Sequence, residues 1–184
     1  MKVTFLGTGT SQGIPVVGCD CDTCLSNDPR DNRLRVSIQI EINKSVLVID
    51  VGPDFRQQML REGTNKIDGI LITHKHSDHI AGIDDIRPFN FMHRMDMPIY
   101  ATKDVQKNLI KRHPYIFEAK YPGVPRIKFH TISKSNDFIA ANIPVIPIEI
   151  YHGELPILGF RIGGFAYLTD FKTIEEEEAL KLKG

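Results

Sequence analysis

Cysteine is scarce in this chain of 184 residues: there are three, Cys19, Cys21 and Cys24, all inside the stretch GCDCDTC. A core stapled by dispersed disulfides is therefore excluded, and a chain of this length buries enough apolar surface to need none. A disulfide uses two sulfurs and a tetrahedral metal site four ligands, so three thiols fit neither reading alone. Charge of one sign is lacking as well. Lys plus Arg and Asp plus Glu stand at 23 each, which leaves no overall basic field to steer nucleic acid and no acidic solvating tail. No window approaches the roughly 18 apolar residues of a membrane span, and the opening MKVTFLGTG turns to glycine too soon for an export signal. Ser/Gly-rich linkers and repeats of solenoid period are also missing. The expectation is one domain, 1–184, in a cytoplasmic, reducing compartment with no membrane partner, where clustered thiols favour metal or catalysis.

What is present begins with strand patterns. Val36, Ile38, Ile40 and Ile42 alternate with Ser37, Gln39 and Glu41, the period of a strand with one dry and one wet face. Asn43-Lys44 then separates it from SVLVIDV, a continuous apolar run, as in a hairpin whose second strand is buried on both faces. IDGILIT at 67–73, PVIPIEI at 144–150 and FAYLTD at 165–170 alternate with helices expected near 54–62, 102–112 and 174–183. The class is mixed, α/β or α+β. For the last helix, Thr173 with Glu176 reads as a capping box and EEEE as a solvated face.

The strand IDGILIT runs straight into HKHSDHIAG, which places His74, His76, Asp78 and His79 within six residues. Imidazole nitrogens and a carboxylate are the donor set that suits zinc and similar divalent ions, and four such groups crowded at a strand end are otherwise costly. In an extended turn His74 and His76 can converge on one ion, while Asp78 and His79 face a second. His93, His113 and His130 stand away from any ligand-rich turn and read as surface or satisfied groups.

The stretch THxHxDHxxG after a buried strand resembles the signature of the metallo-β-lactamase superfamily. That resemblance implies an αββα four-layer sandwich with two divalent ions, zinc or manganese, at one edge of its sheets. Asp50, ending VLVID, resembles an acid that supports the histidine loop without being a ligand. His152 in IYHGE resembles the third histidine of the first site, and Asp170 in YLTD the carboxylate shared by both ions. The opening GTGTSQGIPVVGCDCDTC is similar to that of PhnP-type phosphodiesterases, in which Cys19, Cys21 and Cys24 would hold a structural zinc. The family pattern also places two further histidine ligands beyond the bridging aspartate. No histidine follows His152 and the chain stops fourteen residues past Asp170, so the expectation is a form truncated at its C-terminus, lacking a closing strand and helix, with each of those two sites one ligand short.

The function this resemblance implies is hydrolysis of a small cyclic phosphodiester, of the phosphoribosyl 1,2-cyclic phosphate class, by a hydroxide bridging the two ions. Asp170 would hold the bridge, Asp78 would orient the hydroxide or accept its proton, and Arg87 in GIDDIRPFN would be a phosphate contact. A small-molecule partner is expected rather than nucleic acid, and a homodimer stays open. The rivals are a tRNase Z-like ribonuclease, a glyoxalase II-like thioester hydrolase and a metal-binding module without turnover. The short span from His152 to Asp170 leaves little room for a tRNA-gripping arm.

Overall fold

A computed structural model of the chain describes residues 1–118 and 122–183. Strands β1 (Lys2–Gly7), β2 (Ser37–Ile42) and β3 (Ser45–Ile49) form an antiparallel meander, and β4 (Gly69–Leu71), β5 (Met97–Ala101) and β6 (Ile127–Thr131) continue it in parallel. The β2–β3 turn closes as the dipeptide suggests: Asn43 and Lys44 both take positive φ, 48° and 71°, the hand that matches the twist of a hairpin. A second, antiparallel sheet runs β10-β9-β8-β7, from β7 (Phe138–Ala140), β8 (Ile143–His152), β9 (Leu155–Ile162) and β10 (Phe165–Tyr167).

Parallel strands need crossovers, and here they are helical. Helix α1 (Phe55–Glu62) links β3 to β4; α2 (Ser77–Ile80) and α3 (Arg87–His93) link β4 to β5; α4 (Lys103–Arg112) and α5 (Pro114–Glu118) lie between β5 and β6. Successive residues of a strand point to opposite faces, so the apolar runs of β3, β4 and β5 feed two cores at once. Val48, Ile70 and Ile99 meet Phe55, Met59, Phe89 and Leu109 of the helices. Leu47, Ile49 and Leu71 meet Val145, Leu158, Phe160 and Ile162 of the second sheet. The layers are helices, six-stranded sheet, four-stranded sheet, and the short α6 (Glu176–Leu180) beside β8.

Three local expectations need correcting. Two of the three polar residues of β2 do not face water: Ser37 and Gln39 are buried, while Glu41 is partly exposed and pairs with Lys2. Ser37 Oγ donates to the carbonyls of Ile49 and Asp50 at 2.9 and 3.0 Å, and Thr64 Oγ1 donates to Gln39 Oε1 at 2.7 Å, so both are covered and satisfied. The capping box at Thr173 does not form. Tyr151 N donates to the Thr173 carbonyl at 2.8 Å, which keeps the chain extended, and the helix starts at Glu176 with no side-chain cap. One of its acids also turns inward: Glu178 is buried, accepts the Glu149 backbone N–H at 2.7 Å and pairs with Lys181 at 2.8 Å.

This architecture brings the ends of four strands together. The chain leaving β3 delivers Asp50, that leaving β4 delivers Thr73 to His79, and the ends of β8 and the segment after β10 deliver His152 and Asp170. Val51 N donates to the His79 carbonyl at 2.8 Å, and Gly82 N to the Val51 carbonyl at 2.8 Å. Gly52 is the tight point, since a Cβ there would stand 2.0 Å from the Asp78 carbonyl oxygen. Gly52→Ala should push the histidine turn off its seat and lower stability by about 1–3 kcal/mol, the usual range for overpacking. Urea denaturation checks this, and an unchanged midpoint would show that the turn can give way freely.

Candidate metal centre

Asp50 is fully buried and sits at φ 65°, a left-handed conformation that aspartate tolerates better than most residues. Its Oδ1 accepts the Thr73 backbone N–H at 2.8 Å and its Oδ2 accepts the Thr73 hydroxyl at 2.8 Å. The same Oδ2 lies 2.6 Å from His79 Nδ1. Because Thr73 gives its proton to Asp50, its oxygen is left to accept from His74 Nδ1, 3.0 Å away. That network assigns both tautomers. With Nδ1–H engaged on each ring, Nε2 is the atom each histidine turns toward the centre, so one carboxylate orients two imidazoles, one directly and one through a threonine.

The Nε2 atoms meet Asp170. Its Oδ2 is 3.1 Å from His79 Nε2 and 3.4 Å from His74 Nε2. Asp78 Oδ2 lies 3.4 Å from His79 Nε2, and His76 Nδ1 3.0 Å from His74 Nε2. Two donor triplets result, each with its ligand atoms within 4.8 Å of one another: His74, His76 and Asp170, and Asp78, His79 and Asp170. Nitrogen and carboxylate donors converging from two sides on a shared oxygen fit a pair of divalent ions. His152 stands at the rim of the first triplet, its ring 5.3 Å from that of His76 and 5.9 Å from that of His74.

Protonation follows the same geometry. Burial, and then the neighbouring His79, push His74 down to about 4, so it is a neutral donor. Burial works against a charge on His79 too, but Asp50 and Asp170 on its two nitrogens outweigh it and hold its pKa up at about 10. The bond from His79 in turn draws Asp170 down to about 2.

A cleft of ≈ 440 Å³ opens on the cluster; His76, Asp78, His152 and Asp170 line it together with Thr169, Val36 and the turn Thr8–Ser11. A larger cavity of ≈ 780 Å³ lies beside His74 and Lys75, where Lys75 pairs with Asp104 at 2.8 Å and Lys134 with Glu149 at 2.5 Å. Arg87 is outside the cleft lining. Its guanidinium donates to the Asp84 and Gly123 carbonyls, each at 3.2 Å. Cys19, Cys21 and Cys24 form a third donor group, with sulfurs within 4.8 Å of one another. The bland histidines are placed as such: His93 Nε2 is 2.6 Å from the Asn65 carbonyl, and His130 stacks on Tyr100 at 4.7 Å. Sequence reasoning missed Thr73 and the Thr8–Ser11 turn. A threonine closing a buried apolar strand was the available signal for the first.

Residues 46–184 match the family model of a beta-lactamase superfamily domain. A diphosphatase of the PhnP family has a similar structure, with a TM-score of 0.90 and 40% identity over 99% of this chain and 69% of that one. An octanoyltransferase of Porphyromonas gingivalis is 43% identical over 100% of this chain and 37% of its own length. A ribonuclease Z of Methanocaldococcus jannaschii is 27% identical over 99% of this chain and 52% of its own length. The chain thus spans about half the length, or less, of these two sequence relatives.

Proposed function

The chain belongs to the β-lactamase superfamily and, within it, to the PhnP family; on that premise we propose that it is a metal-dependent hydrolase of small phosphoric diesters. The observation that carries this is the double triplet on Asp170, with the nitrogens of His74 and His79 already aimed by Asp50. His74, His76 and His152 with Asp170 would hold one ion, and Asp78, His79 and Asp170 the other. When bound, two such ions supply an acidified water and neutralise charge on phosphoryl oxygens. Around them Asp170 would fix the spacing of the two subsites, and Asp78, beside His79, would orient the attacking water and accept its proton. Asp50 and Thr73 keep both imidazoles from turning away. The cysteine triplet, remote from these donors in sequence, would hold a structural zinc.

The cleft supports a small substrate, since ≈ 440 Å³ is the size of a ligand pocket rather than of a duplex groove. A strained cyclic diester of ribose is our first choice. Hydrolysis of a diphosphate is the second, favoured by the PhnP-family diphosphatase at 40% identity. The ribonuclease Z relative keeps RNA as a third arm of the test, with the chain's charge balance of 23 against 23 opposing it. The octanoyltransferase shares 37% of its length with this chain, and the donor cluster points to water at a metal rather than to acyl transfer.

The experiment is a panel: the 184-residue chain, loaded with zinc or manganese, against bis(4-nitrophenyl) phosphate, a ribose 1,2-cyclic phosphate, a dinucleoside diphosphate, a precursor tRNA and an acyl thioester. The cyclic diester should turn over fastest and the activity should vanish on chelation. Fastest turnover of the thioester, or activity untouched by a chelator, would overturn the reading.

A further inference from the structure

We propose that Thr8 and Arg33 form the anion-binding side of this cleft, receiving the phosphoryl oxygen that faces away from the metal ligands. The inference rests on the phosphodiester reading above. An anionic substrate entering the cleft meets the carboxylates of Asp78 and Asp170 among the lining groups, and a cation on its other side would lower that repulsion. Arg87 is engaged with two carbonyls, Arg35 with Asp54 at 3.0 Å, and Lys75 with Asp104 at 2.8 Å. Arg33 differs: its side chain is solvent-exposed, and its Nη1 donates to Thr8 Oγ1 at 3.2 Å. Thr8 itself lines the cleft.

The chemistry of that contact sets the direction of the site. A hydroxyl oxygen that accepts from a guanidinium keeps its own proton to give, and the nearby cation polarises it into a better donor toward an anion. Arg33 meets the cleft through Thr8, and the forked N–H geometry of a guanidinium suits phosphoryl oxygens. The two residues are held in register by the backbone. Ile14 N donates to the Arg33 carbonyl at 2.9 Å and Arg33 N to the Ile14 carbonyl at 2.8 Å, while Gly9 N donates to the Leu34 carbonyl at 2.8 Å. A Cβ at Gly9 would stand 2.7 Å from the Arg33 carbonyl oxygen, so glycine is what lets the Thr8 turn lie against the Arg33–Arg35 backbone. Arg35 Nε braces the far side of the turn on the Ser11 carbonyl at 2.8 Å.

The test compares the zinc-loaded 184-residue chain with its Arg33→Ala, Arg33→Lys and Thr8→Val variants. Zinc content, the Kd of inorganic phosphate by calorimetry, and KM for bis(4-nitrophenyl) phosphate are measured. Neither side chain is a metal donor, so zinc content should stay level. Phosphate should bind about tenfold more weakly to Arg33→Ala and several-fold more weakly to Thr8→Val, with Arg33→Lys between, as befits loss of a charge-assisted hydrogen bond. KM should rise in the same order. Equal phosphate affinity in the wild type and Arg33→Ala, or no phosphate binding by the loaded wild type, overturns the inference. If the wild type turns over no phosphoric diester while Arg33→Ala still loses phosphate, the activity reading falls and the anion site stands.

Discussion

Asp50→Asn should weaken both halves of the metal centre at once, although Asp50 belongs to neither donor triplet. The amide can adopt the same backbone, since asparagine also tolerates the φ of 65° found there. It cannot do the same bonding. Asp50 accepts from the Thr73 backbone, the Thr73 hydroxyl and His79 Nδ1 at 2.8, 2.8 and 2.6 Å. An amide has one oxygen to accept with, and its NH2 would face a donor. With the NH2 at the Oδ2 position both the Thr73 hydroxyl and His79 Nδ1 lose their acceptor and both imidazoles lose their guide; with it at the Oδ1 position the Thr73 backbone N–H faces a donor, and a neutral oxygen holds the other two more weakly. Loss of such an orienting partner typically costs 10- to 100-fold in metal affinity. Since the carboxylate is fully buried between a histidine and a backbone N–H, stability should also fall by about 3 kcal/mol, the scale of a broken buried pair. Zinc retention against a graded chelator and a urea midpoint measure the two effects. Wild-type zinc affinity in Asp50→Asn would refute the orienting role.

Asp170→Asn should separate chemistry from folding. The Asp170 side chain is 24% exposed, its φ of 52° is again open to asparagine, and it contributes to no apolar cluster. The fold should therefore hold. Both triplets, however, lose the same anionic oxygen. The expected result is one active-site ion or fewer in place of two, beside any zinc on the cysteines, and diester turnover lower by at least about a hundredfold, since a positioned ion contributes several kcal/mol to the barrier and each 1.36 kcal/mol is tenfold. Metal analysis of the purified variant beside a single-turnover assay decides it. Full occupancy with full turnover would mean that Asp170 does not hold the centre.

Much of this was legible in the sequence for a physical reason: groups that are expensive to bury announce themselves. VLVI at 46–49 and ILI at 70–72 are apolar at every step because their residues feed two cores, and HKHSDHIAG stands out because such polar groups at a dry strand end need a purpose. The rest lies in contacts that carry no local signature. Ser37 and Gln39 look wet by alternation, and only the packing of Thr64 and the β3 backbone hides them. Thr173 has the residue pattern of a cap but is claimed by a backbone bond to Tyr151. Arg87 has the right charge near the right motif, yet its direction is set by Gly123, 36 residues on. The Thr8 turn sits at the opposite end of the chain from Asp170 and meets the same cleft only in three dimensions.

The bond between His79 and Asp170 spans 91 residues and joins the chain leaving the first sheet to the chain leaving the second. Contacts of that range are slow to find, because the loop between them must close before it is rewarded. The first sheet can place Asp50, Thr73, His74 and His79 by itself, but Asp170 arrives only when β10 has docked. An ion that requires all of them binds the finished sandwich and not its precursors. Such an ion would act as a clasp fastened last, adding about 2.7 kcal/mol at a free concentration one hundred times its Kd, and its capture would mark the moment at which the two sheets have met in register.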